Sequence, residues 1–189
     1  MNLGQFFFKY RGFTPIPMVL IVLIFAQPTP VSFLWGILLM LAGESIRLWG
    51  VAYAGGATRT RNVGANQLVT NGPFGRVRNP LYLGNILMYC GAAVVANTWL
   101  PYLVIFVLIF FGVQYYFIIR LEEEKLSELF GTEYAEYCQA VPRIIPRIKN
   151  ISSARPVKPD AGGAFRSEKS TFLSFATVLL FMVLKMYFF

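Results

Sequence analysis

Five apolar stretches divide the chain, and turn-forming or charged residues separate them. A helix needs about 20 apolar residues to cross a bilayer. The first stretch is short and contains prolines, so neighbouring phenylalanines would be needed to complete a span. It does not resemble a cleavable signal peptide, because no small-residue cleavage site follows it. The stretches cover residues 15–26, 31–55, 80–97, 100–119 and 171–189. The pattern predicts an all-α integral membrane protein with about five transmembrane helices.

Charged residues lie almost entirely on alternate connections between these stretches. Residues 27–30 and 98–100 contain none, and of the 17 lysines and arginines all except Arg47 and Lys185 are expected on the opposite side. Because lysine and arginine are enriched on the cytosolic side, we predict a cytosolic N-terminus and an external C-terminus. In a prokaryote this would be the cytoplasmic membrane. Topology and lipid head groups then explain the net charge of +8 without a nucleic-acid partner.

The composition of the chain excludes several classes of protein and of catalytic site. Charged residues make up 14% of the chain, against about 25% in an average soluble domain, which excludes a soluble globular protein. The chain has no histidine, so neither an imidazole metal site nor Ser-His-Asp or Cys-His catalysis is available. We expect no metal, and we interpret Cys90 and Cys138 as packed thiols.

The positions of the polar segments predict that the chain is divided into three parts. Residues 1–150 are predicted to form a membrane core of four spans with a cytosolic helix and an extended strap. Residues 151–170 are rich in Pro, Gly and Ser and are predicted to form a flexible linker. Residues 171–189 would form a C-terminal transmembrane helix.

The first candidate site is the segment NGPFGRVRNPLYLG, which ends in a helix start. Asn79 is a good N-cap residue and Pro80 suits the first helical position. The free N–H groups of this helix, flanked by Arg76 and Arg78, would form an anion site. The alternative is an ordinary helix start with arginines that reach the head groups.

The second candidate site follows the fourth span. Three consecutive carboxylates, 122–124, stand just inside the interface, and some of them should face a cation. The helix is expected to stop at Gly131, a favourable residue at a helix end, and a short helix would follow over 132–140. A Val-Pro-Arg-Ile-Ile-Pro-Arg strap with Arg143 and Arg147 would then lie across the head groups. The alternative is a solvated acidic turn.

A third candidate lies inside a span, where Glu44 and Arg47 are three residues apart. They share a helix face and can pair, which lowers the cost of burying each charge. Ionisable residues at that depth indicate a functional site by default. A structural ion pair without a functional role is the open alternative.

Two blocks of sequence, GPFGRVRNPLYLG and LEEEKLSELFGTEYAEYCQAVPRIIPR, occur in this order around a two-helix hairpin. Together they resemble the isoprenylcysteine carboxyl methyltransferase and phospholipid methyltransferase superfamily of membrane enzymes, over about residues 43–148. The resemblance implies that S-adenosyl-L-methionine is the cofactor. The chain departs from the family at Asn79, where a histidine is common, and at Ala140, where many members carry an arginine.

The resemblance also implies roles for individual residues. The cofactor would be held at the start of the third long helix and at the double glutamate, by Arg78, Asn79, Tyr82, Leu83, Gly84, Glu122 and Glu123. Arg78, Glu123, Arg143 and Arg147 would be the catalytic residues. Apart from the resemblance, their depth inside a span makes Glu44 and Arg47 candidate substrate-binding residues, together with Arg143 of the strap.

These observations predict an S-adenosylmethionine-dependent methyltransferase acting on a lipid-like or prenylated membrane substrate with a carboxyl, amine or hydroxyl acceptor. The alternative enzyme is an NADPH-dependent reductase of the sterol-reductase type, since the C-terminal sequence of such enzymes is similar to YCQAVPRIIP. A small transporter or assembly factor that keeps the fold is the non-enzymatic alternative. Carboxylates suit a sulfonium ligand, whereas a nicotinamide phosphate would need an arginine cluster.

Overall fold

The structure, a computed structural model, describes residues 2–55, 67–151 and 156–188, and these residues form helices and turns without a strand. A 3₁₀ turn, Gly72–Gly75, precedes the fourth helix. Three arginines that the sequence assigns to the charged side, Arg59, Arg61 and Arg155, lie outside the described residues. The helices are α1 (Leu3–Tyr10), α2 (Ile16–Phe25), α3 (Pro30–Ala54), α4 (Pro80–Ala96), α5 (Tyr102–Ala140) and α6 (Ala161–Phe188).

Helices α2 to α6 alternate in direction between two ends of the bundle. The uncharged connections meet at one end, where the Gln27 backbone N–H donates to the Ala96 carbonyl over 2.8 Å. The end of α6 lies there too, because Lys185 Nζ donates to the Ile24 carbonyl over 2.7 Å. The charged connections therefore gather at the opposite end, which we call the polar end.

Three helices, α3, α5 and α6, are long and apolar enough to cross a membrane. The other two predicted spans correspond to α2 with 10 residues and α4 with 17 residues, which fall below that length. The structure thus agrees with an integral membrane protein and does not confirm five spans. At about 1.5 Å per residue, α2 alone is too short for a hydrocarbon core of about 30 Å.

Glycines bring α3 and α4 into direct backbone contact. A Cβ on Gly43 would lie 2.6 Å from the Gly84 carbonyl oxygen, and one on Gly36 would lie 2.7 Å from the Gly91 carbonyl oxygen. Such distances leave no room for a side chain, so the seven-residue spacing of the glycines on both helices sets the separation of the helix axes. We call this contact the glycine seam.

The break in α5 lies where the sequence places it. Gly131 has φ +50° and ψ −119°, outside the helical region, so the chain bends there and continues as a second helical segment to Ala140. A positive φ is inexpensive only for glycine. The predicted stop at Gly131 and the short helix after it are therefore confirmed.

Helix α6 begins at Ala161 and not after Ser170 as predicted. Residues 161–170 of the predicted linker are helical, and the residues before them are tied to the bundle. The Asp160 N–H donates to the Ala52 carbonyl over 2.8 Å, and Asn71 exchanges two hydrogen bonds with the backbone of Val157. The glycines and serines that suggested a linker lie in a helix that packs on α3.

We expect Gly43→Ala to lower the stability of the bundle, because the new methyl group would overlap the α4 backbone. Overpacking of this kind costs about 1–3 kcal/mol. Gly112→Ala is the control, since Gly112 is a helical glycine with nothing within 4 Å of its would-be Cβ. Thermal unfolding in detergent should show a lower midpoint for Gly43→Ala only; equal midpoints would contradict the role of the seam.

Candidate functional site

A network of ion pairs at the polar end is centred on Glu123. Arg78 Nη1 lies 3.0 Å from Glu123 Oε1, and Arg143 donates to both carboxylate oxygens over 3.1 and 2.5 Å. Arg78 and Glu123 are each 13% exposed at the side chain, so this carboxylate is largely shielded from water. The arrangement, which we call the Glu123 clamp, joins the segment before α4, helix α5 and the strap after it.

Backbone hydrogen bonds fix the strap beside the start of α4. The Arg78 N–H donates to the Pro142 carbonyl over 2.9 Å, and the Arg147 N–H donates to the Arg76 carbonyl over 3.0 Å. Asn79 stands at the N-cap position, as expected, but its side chain donates to the Arg143 carbonyl over 3.0 Å and makes no capping bond. The first N–H groups of α4 are thus not covered by the side chain of the N-cap residue.

Two further contacts order the clamp. The Glu123 carboxylate raises the pKa of the Arg143 guanidinium by accepting its hydrogen bonds. Beyond the break at Gly131, the Tyr137 hydroxyl donates to the Phe74 carbonyl over 2.8 Å, and burial raises the pKa of this phenol. Both side chains therefore keep their protons and act as fixed hydrogen-bond donors at neutral pH.

Glu122 faces a different direction from Glu123. Its Oε1 accepts a hydrogen bond of 2.8 Å from the Tyr82 hydroxyl of α4. The Tyr82 ring packs against the Tyr115 ring of α5, with a centroid distance of 4.6 Å. Adjacent glutamates thus serve two environments, because neighbouring positions on a helix point about 100° apart.

A second polar cluster lies deeper in the bundle, around Arg47 of α3. Arg47 Nε is 3.4 Å from Glu44 Oε2, which confirms the predicted pair, and Arg47 Nη2 is 2.8 Å from Glu168 Oε2 of α6. Arg47 also donates to Asn85 of α4. The Thr171 hydroxyl donates to Glu168 over 2.6 Å. We call this group the Arg47 cluster; it links three helices.

One cavity of about 880 Å³ connects the polar end to the Arg47 cluster. Its volume lies within the range of about 300–1,000 Å³ that is usual for ligand pockets. Its walls are apolar where α2 and α6 approach, with Met18, Val22, Phe175 and Val178 among them. The ionisable and polar lining residues are Arg11, Arg47, Arg78, Asn79, Tyr82, Asn85, Tyr89, Tyr115, Glu122, Glu168, Ser170, Thr171 and Ser174.

Five of the residues singled out in the sequence line this cavity: Arg47, Arg78, Asn79, Tyr82 and Glu122. The remaining ones occupy other places among the described residues. Glu123 and Arg143 form the clamp beside the cavity, and Arg147 lies on the exposed strap. Glu44 pairs with Arg47 but does not line the cavity. Leu83 and Gly84 are not among the lining residues either. Gly84 instead belongs to the glycine seam.

Sequence reasoning missed eight polar residues of the cavity: Arg11, Asn85, Tyr89, Tyr115, Glu168, Ser170, Thr171 and Ser174. Asn85 stands one turn after Tyr82, so the helical period could have placed it on the same face. Glu168 offers no such local signal, because it lies in a charged run beside the last apolar stretch, where acids are usually solvated.

Comparison with known proteins decides the family. The model of the phospholipid methyltransferase family matches residues 31–133. The chain belongs to this family. The match covers α3, α4 and α5 as far as the break, and it leaves the strap and α6 outside. Membership does not favour the reductase alternative.

Three curated relatives share part of their sequence with the chain. The cobalt-zinc-cadmium resistance protein CzcN of Cupriavidus metallidurans is 32% identical over 54% of the chain and 43% of its own length. The protein-S-isoprenylcysteine O-methyltransferase B of Arabidopsis thaliana is 28% identical over 59% and 58%. The methanethiol S-methyltransferase 1 of Bradyrhizobium diazoefficiens is 39% identical over 40% and 25%. The chain thus spans about half or less of the length of these relatives.

We expect Tyr137→Phe to destabilise the polar end, because it removes the hydrogen bond to the Phe74 carbonyl and leaves that carbonyl without this donor. The loss should be about 1 kcal/mol. Tyr116→Phe makes the same change at a residue of α5 that is 49% exposed and should cost little. Unfolding of both variants by denaturant in detergent measures the difference, and equal midpoints would contradict the assignment.

Proposed function

We propose that the protein transfers a methyl group from S-adenosyl-L-methionine to a lipid-like or prenylated substrate taken from the bilayer. The observation that carries the proposal is the single cavity, which combines Arg78 and Glu122 at its polar end with apolar walls toward α2 and α6. A charged cofactor and an apolar acceptor need these two environments side by side. Family membership supports the same reaction class.

The chemistry of the polar end fits the cofactor. S-adenosylmethionine carries a sulfonium, an ammonium and a carboxylate group. Glu122 lines the cavity and can hold a cationic group, whereas Arg78 can hold the carboxylate. The Nε atom of Arg78 is buried without a hydrogen bond to any described residue, so it has a donor to offer. The nearby start of α4 adds further N–H donors.

Glu123 is then a positioning residue in this proposal. It touches Arg78 and Arg143 and does not line the cavity, so its effect on a ligand would act through the arginine that it holds. A fixed guanidinium loses less conformational entropy when it binds a carboxylate than a mobile one does. Arg143 and Arg147 would keep the strap in place rather than contact the reacting atoms.

When bound, the cofactor supplies an electrophilic methyl group on sulfur. The residues of the chain would supply proximity and the exclusion of water. Tyr82 and Glu122 would position the polar end of the cavity, and the apolar side chains of α2 and α6 would hold the acceptor's chain. Ser174 lines the cavity and is exposed on α6, so we propose that a membrane lipid enters beside this helix.

Compatible acceptors are a prenylated cysteine, phosphatidylethanolamine, a quinone and another isoprenoid, because each has a long apolar part. The names of two relatives describe methyl transfer to oxygen and to sulfur, so the family fold accommodates different acceptors. For this chain the apolar walls favour an acceptor with a long apolar part.

The alternating helices also support the proposed topology. The N-terminus would be cytosolic and the C-terminus external, because the charged connections gather at one end and the end of α6 lies at the other. The short helices α2 and α4 would complete five passes by packing against the longer ones, with polar residues at their ends reaching the interface.

We expect the purified protein to bind S-adenosylhomocysteine in detergent and Arg78→Ala and Glu122→Gln each to lower the affinity at least about tenfold, the value of one lost charged contact. Glu124→Gln makes the same carboxylate-to-amide change at a side chain that is 62% exposed and should bind as the wild type does. Isothermal titration measures all four proteins.

The same titration with NADPH distinguishes the two enzyme classes. Binding of S-adenosylhomocysteine alone would support the methyltransferase. Binding of NADPH alone, or wild-type affinity for S-adenosylhomocysteine in both cavity variants, would overturn the proposed cofactor site.

A further inference from the structure

The strap after α5 holds two isoleucines away from the bundle. Ile145 is 80% exposed and Ile148 is 94% exposed, whereas Ile144 packs against the apolar core. The basic residues Arg147 and Lys149 are exposed on either side of Ile148. We call these four outward residues, Ile145, Arg147, Ile148 and Lys149, the strap surface.

Hydrogen bonds fix the backbone that carries the strap surface. The Arg147 N–H donates to the Arg76 carbonyl over 3.0 Å, and the Ile151 N–H donates to the Gly75 carbonyl over 3.2 Å. The Arg147 side chain also donates to the Ala140 carbonyl over 2.5 Å. Because the backbone is tied at these points, the two isoleucines are held outward, although isoleucine is among the residues most often buried in folded proteins.

Trp49 of α3 indicates the level of the strap surface in the bilayer. Arg76 Cζ lies 5.4 Å from the centroid of the Trp49 ring, and the Arg76 carbonyl is the acceptor of the Arg147 N–H. Trp49 stands 19 residues after Pro30, the first residue of α3 at the uncharged end. This spacing is about 29 Å along a helix, and a hydrocarbon core is about 30 Å thick. A core that begins at Pro30 would therefore end near Trp49, where tryptophan is enriched.

Every charged residue in the sequence around the strap surface is basic. Residues 137–159 contain neither aspartate nor glutamate, and their basic residues are Arg143, Arg147, Lys149, Arg155 and Lys158. Lysines and arginines at the level of the head groups attract anionic lipids. Their apolar stems can lie along hydrocarbon while the charge stays at the interface. A basic segment with exposed isoleucines thus matches the boundary of an anionic bilayer in both charge and polarity.

We propose that the strap surface binds anionic membrane lipids: Ile145 and Ile148 insert among the upper parts of the acyl chains, and Arg147 and Lys149 contact the acidic head groups. The same strap supplies Arg143 to the Glu123 clamp. The lipid contact thus lies in the segment that also orders the polar end. This inference goes beyond the proposed methyl transfer and stands without it, because lipid contact can be measured in the absence of a cofactor.

A tryptophan at position 148 tests the insertion. Ile148→Trp is reconstituted as the full chain into nanodiscs with one protein molecule each, in phosphatidylcholine of which part carries bromine on the acyl chains. The measurement is the quenching of fluorescence beyond that of the native tryptophans in the wild type. We expect the added indole to be quenched at least about twofold more than the control, because an interfacial apolar side chain reaches the acyl chains.

The control for depth is Glu128→Trp. The Glu128 side chain is 67% exposed and stands 26 residues after Tyr102, the first residue of α5. At about 39 Å along the helix, it would lie beyond the hydrocarbon core. Unfolding midpoints equal to the wild type show that both tryptophan variants are folded.

The Ile148→Trp protein also measures the preference for anionic lipids. Brominated phosphatidylglycerol and brominated phosphatidylcholine are compared at the same mole fraction, and we expect phosphatidylglycerol to quench more strongly. Arg147→Gln and Lys149→Gln should each lower this preference by up to about fivefold, the effect of one basic residue near an anionic surface. Lys125→Gln removes a charge that is paired with Glu128 over 2.8 Å and should leave the preference unchanged.

Strong quenching at position 148, a preference for phosphatidylglycerol and a loss of that preference in Arg147→Gln and Lys149→Gln support the proposal. Quenching no greater than in Glu128→Trp, equal quenching by the two lipids, or an unchanged preference in both charge variants overturns it. An indole at position 148 that is shielded from both brominated lipids would indicate a protein partner and overturns it as well.

Discussion

The glycine seam between α3 and α4 is the contact on which the cavity depends. A Cβ on Gly84 would lie 2.6 Å from Arg47 Cγ as well as 2.6 Å from the Gly43 carbonyl oxygen. The absence of side chains here thus sets the helix separation and leaves the space through which Arg47 reaches Asn85 and Glu168. In an apolar bilayer, where burial of hydrocarbon gives helices little reason to associate, such close packing holds the bundle together.

The polar end is fixed in a different way, by charge and backbone hydrogen bonds. The Glu123 clamp joins segments that are far apart in the chain, and the strap adds two backbone bonds to the segment before α4. The attraction and hydrogen bonds from two guanidinium groups offset the free energy that is needed to desolvate the partly buried Glu123 carboxylate. These contacts hold Arg78 in place at the charged end of the cavity, whereas the walls along α2 and α6 are apolar.

Local signals in the sequence predicted much of this arrangement. The Asn79-Pro80 helix start, the break at Gly131 and the Glu44–Arg47 pair each depend on residues within one helical turn. The contact between Arg47 and Glu168 spans 121 positions and has no such signal. The start of α6 was placed too late for a related reason: tertiary contacts, not the glycine and serine content of residues 161–170, decide that this segment is helical.

Helix α6 has a consequence for how relatives with this fold can diverge. It lies outside the stretch that defines the family, but it supplies one wall of the cavity and the carboxylate that holds Arg47. Arg78 and Glu122 at the charged end of the cavity and the wall that α6 supplies thus belong to separate parts of the chain. Substitutions in α6 would reshape this wall of the cavity without touching the helices that the family model matches, so the two parts can vary independently.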